Sequence, residues 1–266
     1  ATSRVSRAGE AGLGEAVEHA AALTREVSTD AQTVIDADSP LGTALGDEDI
    51  TAYFFEAQFR ELRPGSKQRF LATVQVSSCI IVFASGGGRA FGAHINGAAL
   101  GLSVLRMQSR WEGATFLEEA WRALQDAFRG VEPSLVTVSL VGGYKQTDLS
   151  VQLKETYPDD PSKWSFSSAV RSGVSEALPG AAIDASLLNR FEGSETPEDK
   201  ERCWGEGQLF QVVALDSFTG KVVSQTNPYR GGRMMYSVPL SVVDDAVRND
   251  HEWTARMGRE VAAMTE

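Results

Sequence analysis

Two β-rich runs separated by three consecutive glycines constrain the fold of this chain more than any other feature. Residues 69–83 are rich in β-branched and aromatic side chains, which favour strands over helices. A second run covers residues 90–96, and the glycines at residues 86–88 interrupt the two runs as a turn would. The pattern therefore predicts a β-hairpin in the first half of the chain.

The remaining sequence alternates between helical and strand patterns. Apolar spacing predicts helices at residues 112–129, 164–178 and 239–264 and strands at residues 134–140, 181–188, 208–215 and 221–226. This order predicts an α+β fold, a layered α/β sandwich in which helices pack on a mixed sheet within a single main domain.

The N-terminal segment has a different composition. A short amphipathic helix is expected at residues 8–27, whereas residues 28–50 collect Ser, Thr, Asp, Gly and Pro with little periodicity, as loops and linkers do. We therefore predict an N-terminal helix and linker over residues 1–50 and the α/β domain over residues 51–266.

Charge and cysteine content exclude several classes of protein. The chain has 25 Lys and Arg against 36 Asp and Glu, a formal net charge of −11, which disfavours nucleic acid and anionic lipid as partners. No apolar stretch approaches the roughly 20 residues of a membrane-spanning helix. Two cysteines are too few for a disulfide framework, so we expect a reducing, cytoplasmic environment.

The motifs that would bind metals or nucleotides are missing from the sequence. The chain has three histidines and no CxxC, HxH or HExxH pattern, so we expect no metal. It also contains no GxGxxG, Walker A or GxSxG motif, and we expect no cofactor.

Cys79 and His94 are the best remaining candidates for chemistry. A thiolate is a nucleophile, and a nearby imidazole can lower the thiol pKa and return a proton to a leaving amine. The predicted hairpin would place the two residues on adjacent strands, and we expect them in a crevice open to solvent. The alternative is that a lone cysteine before an apolar run is a small buried hydrophobe.

The segment Ser77-Ser78-Cys79-Ile80-Ile81-Val82, followed by Gly92-Ala93-His94, resembles the Cys…His signature of protein N-terminal asparagine amidohydrolases. More distantly it resembles chemoreceptor glutamine deamidases and toxin deamidases of the cytotoxic necrotizing factor type. The segments at residues 138–144 and 210–221 also fit the asparagine amidohydrolase pattern. The resemblance implies an α/β sandwich with Cys79 as nucleophile and His94 as general base.

The same resemblance implies a function. The enzyme would deamidate N-terminal asparagine to aspartate and release ammonia, a reaction of N-degron chemistry, with protein or peptide N-termini as partners and no cofactor. Two alternatives stay open: a deamidase of an internal glutamine in a partner protein, and a binding module of the same fold without turnover.

Supporting residues follow from their positions near the pair. Candidates for orienting the imidazole or holding an oxyanion are Ser78, Thr73 and Asn96, although Asn96 before a glycine is also typical of a turn. Gly142 and Gly143 end a predicted central strand, where they could bind substrate or simply form a turn. A substrate amine needs a carboxylate, for which Asp148 is a candidate, with Glu56 and Asp216 as alternatives.

Overall fold

The computed structural model describes residues 44–76, 79–97, 116–143, 153–155, 157–161, 164–188, 210–226 and 240–265. The nine strands in these ranges are β1 (Thr51–Tyr53), β2 (Phe59–Leu62), β3 (Phe70–Val76), β4 (Ile80–Gly86), β5 (Arg89–Ile95), β6 (Thr137–Gly142), β7 (Ala182–Leu188), β8 (Phe210–Asp216) and β9 (Val222–Thr226). The helices are α1 (Phe116–Ala127), a 3-10 turn (Pro133–Leu135), α2 (Phe166–Ala177) and α3 (Leu240–Thr265).

The strands form two mixed sheets. One sheet has four strands in the order β1-β3-β8-β9, and the other has five in the order β2-β5-β4-β6-β7. The β1–β3 and β6–β7 pairs are parallel, and the remaining pairs are antiparallel. The predicted α+β architecture with a mixed sheet is confirmed, but two sheets stand where one was expected.

Three apolar clusters hold these layers together. The inner cluster joins the facing sides of the two sheets, where the rings of Phe54 and Phe83 meet edge to face at 5.9 Å. A second cluster packs α1 and α2 on the outer face of the five-stranded sheet. The third packs Val242 and Ala246 of α3, with Ala44 and Leu45, on the outer face of the four-stranded sheet. The molecule is therefore layered as helix, sheet, sheet, helix.

The central hairpin is the one that the sequence predicts. Gly86 pairs with Arg89, so the turn between β4 and β5 contains only Gly87 and Gly88, at φ of 57° and 72°. Two consecutive positive φ values are characteristic of a two-residue hairpin turn that matches the strand twist, and glycine adopts them without strain.

Most other predicted elements are present within one to four residues of their expected bounds. The strand expected at residues 134–140 begins instead at Thr137, after the 3-10 turn. Residues 44–50, which we predicted to belong to the linker, contribute Ala44 and Leu45 to the core, while the helix expected at residues 8–27 lies outside the described residues. The division of the chain into domains stays a prediction. Within the described ranges, every helix is too short or too polar to span a bilayer.

Candidate active site

Cys79 lies where the chain passes from one sheet to the other. β3 ends at Val76 in the four-stranded sheet, and β4 begins in the five-stranded sheet immediately after Cys79. The Cys79 carbonyl accepts a hydrogen bond from the Gly143 N–H at 2.8 Å, which extends the β4–β6 ladder by one residue. Strand alternation thus gives Cys79 the same face as Ile81, which packs in the inner cluster between the sheets.

His94 lies on the same face of the adjacent strand. It pairs directly with Ile81, so Cys79, two residues earlier, is its diagonal neighbour across the β4–β5 ladder. Such neighbours have Cα atoms roughly 7–8 Å apart, a span that a cysteine and a histidine side chain together can bridge. The hairpin therefore places the two predicted catalytic residues as diagonal neighbours on one face of the sheet.

Thr73 contacts the imidazole from the opposite sheet. Its Oγ1 lies 2.8 Å from His94 Nδ1, and both side chains are buried. No residue in the described part of the chain offers a hydrogen-bond partner to the other ring nitrogen, Nε2, although it is buried. Because buried polar atoms are normally bonded, an unbonded nitrogen needs an explanation.

Burial sets the protonation state of His94. Removal of the ring from water lowers its pKa from 6.5 to about 3, so the folded protein holds a neutral imidazole at neutral pH. In the tautomer that carries the proton on Nδ1, the ring donates to Thr73 and keeps a free electron pair on Nε2.

The prediction that this pair lies in a crevice open to solvent is wrong. Cys79 is 4% exposed and His94 is 1% exposed. The cause is the second sheet, which the sequence did not predict and which covers the face of β4 and β5 that carries both side chains. Chemistry on an external substrate therefore requires these surroundings to open.

The two glycines at the end of β6 pack against Cys79. Gly142 has a φ of 91°, and a Cβ atom there would lie 2.4 Å from the Cys79 carbonyl oxygen. The Gly143 N–H is already bonded to that oxygen. Glycine is thus required at residue 142 for close backbone approach, and substrate binding by either residue stays a prediction.

The other predicted residues are distributed differently. Asn96 donates a hydrogen bond from its side-chain amide to the Glu56 carboxylate, a contact that no sequence pattern predicts. Ser78 and Asp148 lie outside the described residues. Asp216 is wrong as a partner for a substrate amine, because it forms a buried ion pair with Arg69 at the opposite end of β3.

Glu56 is a half-buried carboxyl near the site. Burial raises its pKa, as do the charge of Asp250 and a hydrogen bond with it, whereas the bond from Asn96 acts in the opposite direction. Sequence reasoning proposed Glu56 only as a possible amine partner and missed Asp250. The two are 194 positions apart, and no local pattern connects them.

Two clefts lined by described residues lie away from Cys79 and His94. One, of about 640 Å³, is formed by turns at the far end of the sandwich, and the other, of about 660 Å³, lies between β2 and α1. Within the described ranges, no group of three or more His, Cys, Asp or Glu side chains is arranged to hold a metal ion.

Comparisons with known proteins find limited similarity. No protein-family model matches the sequence, and no curated protein matches it significantly. Similar solved structures include the hypothetical protein YfiH of Bacillus licheniformis, with a TM-score of 0.29 and 14% identity over 53% of this chain and 51% of YfiH. Protein NMB0706 of Neisseria meningitidis, of the DUF152 family, has a TM-score of 0.32 and 12% identity over 50% of this chain and 62% of its own. The chain thus matches about half to three fifths of each protein's length.

These comparisons overturn the family assignment. They lead to YfiH and a DUF152 protein, not to N-terminal asparagine amidohydrolases, so the family prediction and the predicted deamidation of N-terminal asparagine, with its link to N-degrons, are wrong. The glutamine deamidase alternative came from the same resemblance and loses its support. The segments on which the resemblance to asparagine amidohydrolases was based are short strands with glycine turns, which occur in many unrelated folds.

Proposed function

We propose that the chain is a cysteine hydrolase that cleaves the carbon–nitrogen bond of linear amides, with Cys79 as nucleophile and His94 as general base. One observation carries this proposal: Thr73 holds His94 through Nδ1, while Nε2 has no partner among the described residues, on the sheet face that Cys79 shares. With Nδ1 bound to Thr73, Nε2 keeps the electron pair that would accept the thiol proton once the Cys79 sulfur comes within hydrogen-bond reach.

The reaction follows from the free electron pair on Nε2. This nitrogen takes the thiol proton as the Cys79 sulfur attacks the amide carbonyl carbon, giving a tetrahedral intermediate. The C–N bond then breaks as Nε2 gives its proton to the leaving nitrogen, which leaves a thioester on Cys79. Water, deprotonated by Nε2, hydrolyses the thioester and restores the thiol.

Access and charge define the conditions for this reaction. Opening of the site admits water and substrate dipoles to the ring, which moves the His94 pKa back towards its ordinary value and strengthens the base. The net charge of −11 favours substrates with a positive charge, of which peptides with a free α-amine are one example. A cytoplasmic location would keep the thiol reduced.

A library of linear primary and secondary amides tests the proposal through the release of ammonia or amine. We expect turnover by the wild-type protein, a loss of about 10³-fold or more in Cys79→Ala, and a loss of about 10²-fold or more in His94→Gln. Cys203→Ser and His251→Gln are matched controls and should retain activity. Quenching during turnover should trap a thioester on Cys79.

Two results would contradict the proposal. One is turnover that survives Cys79→Ala. The other is a folded wild-type protein that neither hydrolyses any member of the library nor forms a thioester.

A further inference from the structure

The turn at residues 55–58 meets β5 through a β-bulge directly opposite His94. The Ala57 N–H donates to the His94 carbonyl at 2.9 Å, and the His94 N–H donates to the Gln58 carbonyl at 3.0 Å. The consecutive residues Ala57 and Gln58 therefore form hydrogen bonds with both the N–H and the carbonyl of His94. Bulges of this kind redirect side chains and are common beside active sites.

The bulge contains a strained residue. Ala57 has a φ of 57°, the only positive φ of a non-glycine residue in the described ranges. The left-handed conformation is unfavourable for a residue with a Cβ atom, because the Cβ crowds the following carbonyl oxygen. Such a conformation persists only where the surrounding contacts hold it.

Helix α3 supplies those contacts through Asn249. The Asn249 side chain donates from Nδ2 to the Glu56 carbonyl at 2.9 Å and accepts at Oδ1 from Gln58 Nε2 at 2.7 Å. It thereby bridges the residues on either side of Ala57. Asn249 also follows Val242 and Ala246, the buried residues of α3, at helical spacing, so packing of the helix directs it towards the turn.

A second link joins the same elements. The Glu56 carboxyl accepts a hydrogen bond from Asn96, two residues after His94, and the nearby carboxyl of Asp250 in α3 raises the Glu56 pKa. Helix α3 thus contacts the bulge directly and is linked to Asn96, the residue that follows β5, only through Glu56.

We propose that the C-terminal helix α3 positions His94 for its role in the hydrolase reaction, with Asn249 as the positioning residue. This inference rests on the proposed function. The ring is held from two sides: Thr73 binds Nδ1, and the bulge clamped by Asn249 fixes the backbone of His94. Both restraints are needed to place Nε2 against Cys79, because a group displaced by about 1 Å can lose about 10²-fold in rate.

The test compares Asn249→Asp with Ser241→Ala. The first variant keeps the side-chain shape but removes the donor to the Glu56 carbonyl. The second removes a different contact of α3, the hydrogen bond from Ser241 to Glu48, and leaves the turn intact. The readouts are the ¹⁵N signals of the His94 ring and, on an amide cleaved by the wild type, kcat and KM.

We expect Asn249→Asp to shift the His94 ring signals and to lower kcat about tenfold or more with little change in KM, while Ser241→Ala matches the wild type. If Asn249→Asp does not fold, Gln58→Glu gives a second test, because it removes the N–H donated to Asn249 but keeps the oxygen that accepts the Phe55 N–H within the turn. Unchanged ring signals in a folded Asn249 or Gln58 variant would overturn the inference. Ring signals that move while Cys79→Ala retains full turnover would overturn the hydrolase proposal instead.

Discussion

Replacing Asp216 with alanine is expected to lower the free energy of unfolding by about 3–5 kcal/mol, the cost of breaking a buried ion pair by removing one partner. Arg69 donates to the Asp216 carboxylate from Nε at 2.9 Å and from Nη2 at 2.6 Å, and the two side chains are 8% and 1% exposed. The variant would leave the Arg69 charge buried with no carboxylate to neutralise it. The Asp216 carboxylate also accepts the Phe218 N–H, so the β8–β9 turn would lose this bond as well.

Urea unfolding measures this effect, and a surface pair provides the control. Glu61 and Arg63 form an exposed ion pair in β2 and the loop after it, so Glu61→Ala should change the free energy of unfolding by about 0.5 kcal/mol or less. The double variant Arg69→Met, Asp216→Leu should recover most of the loss, because no charge then remains buried. A loss in Asp216→Ala no larger than that in Glu61→Ala would show that the pair does not stabilise the fold.

Acidification is expected to destabilise the protein through His94. In the unfolded chain this residue gains a proton near its ordinary pKa of 6.5, whereas the folded ring stays neutral down to about pH 3. The unfolded state therefore binds more protons between these values, and the contribution of His94 is fully present above pH 6.5 and falls as the pH decreases towards 3. The difference of pKa corresponds to about 5 kcal/mol over that range.

The effect is measured as the difference between the wild type and His94→Gln in urea unfolding from pH 7 to pH 3.5, since other groups titrate equally in both proteins. That difference should change by about 1.4 kcal/mol per pH unit below pH 6. A His94→Gln difference that does not vary with pH would mean that the folded ring is protonated as readily as the unfolded one.

Local patterns predicted the elements of this fold better than their assembly. Alternating β-rich segments and glycines identified the β4–β5 hairpin, and apolar spacing identified α1, α2 and α3. The strands β1 and β2 were not predicted, because each has only three or four residues and forms only by pairing with β3 or β5. No local sequence pattern shows that the chain passes from one sheet to the other between Val76 and Ile80. One sheet was therefore expected where two pack together.

In the candidate site, too, local patterns predicted some features, whereas contacts between distant parts of the chain were not predicted. The predicted hairpin put Cys79 and His94 on adjacent strands, and the register of its two-residue turn makes them diagonal neighbours. Thr73 was a candidate for orienting the imidazole because it is near Cys79 in the sequence, yet it contacts His94 from the opposite sheet. Burial of the pair follows from that second sheet and could not be foreseen. The contacts of Asn249 with the turn join residues more than 190 positions apart, beyond the reach of any pattern in the sequence.

Alkylation of Cys79 by iodoacetamide, followed from pH 5.5 to 8.5 in a Cys203→Ser background, tests most directly whether the imidazole activates the thiol. We predict that at pH 6.5 the protein with His94 intact reacts about tenfold or more faster than the His94→Gln variant, because only a thiol with a proton acceptor at hand forms the reactive thiolate well below its ordinary pKa. Equal rates in the two proteins, or a folded protein whose Cys79 is not alkylated at any of these pH values, would contradict a catalytic pair of Cys79 and His94.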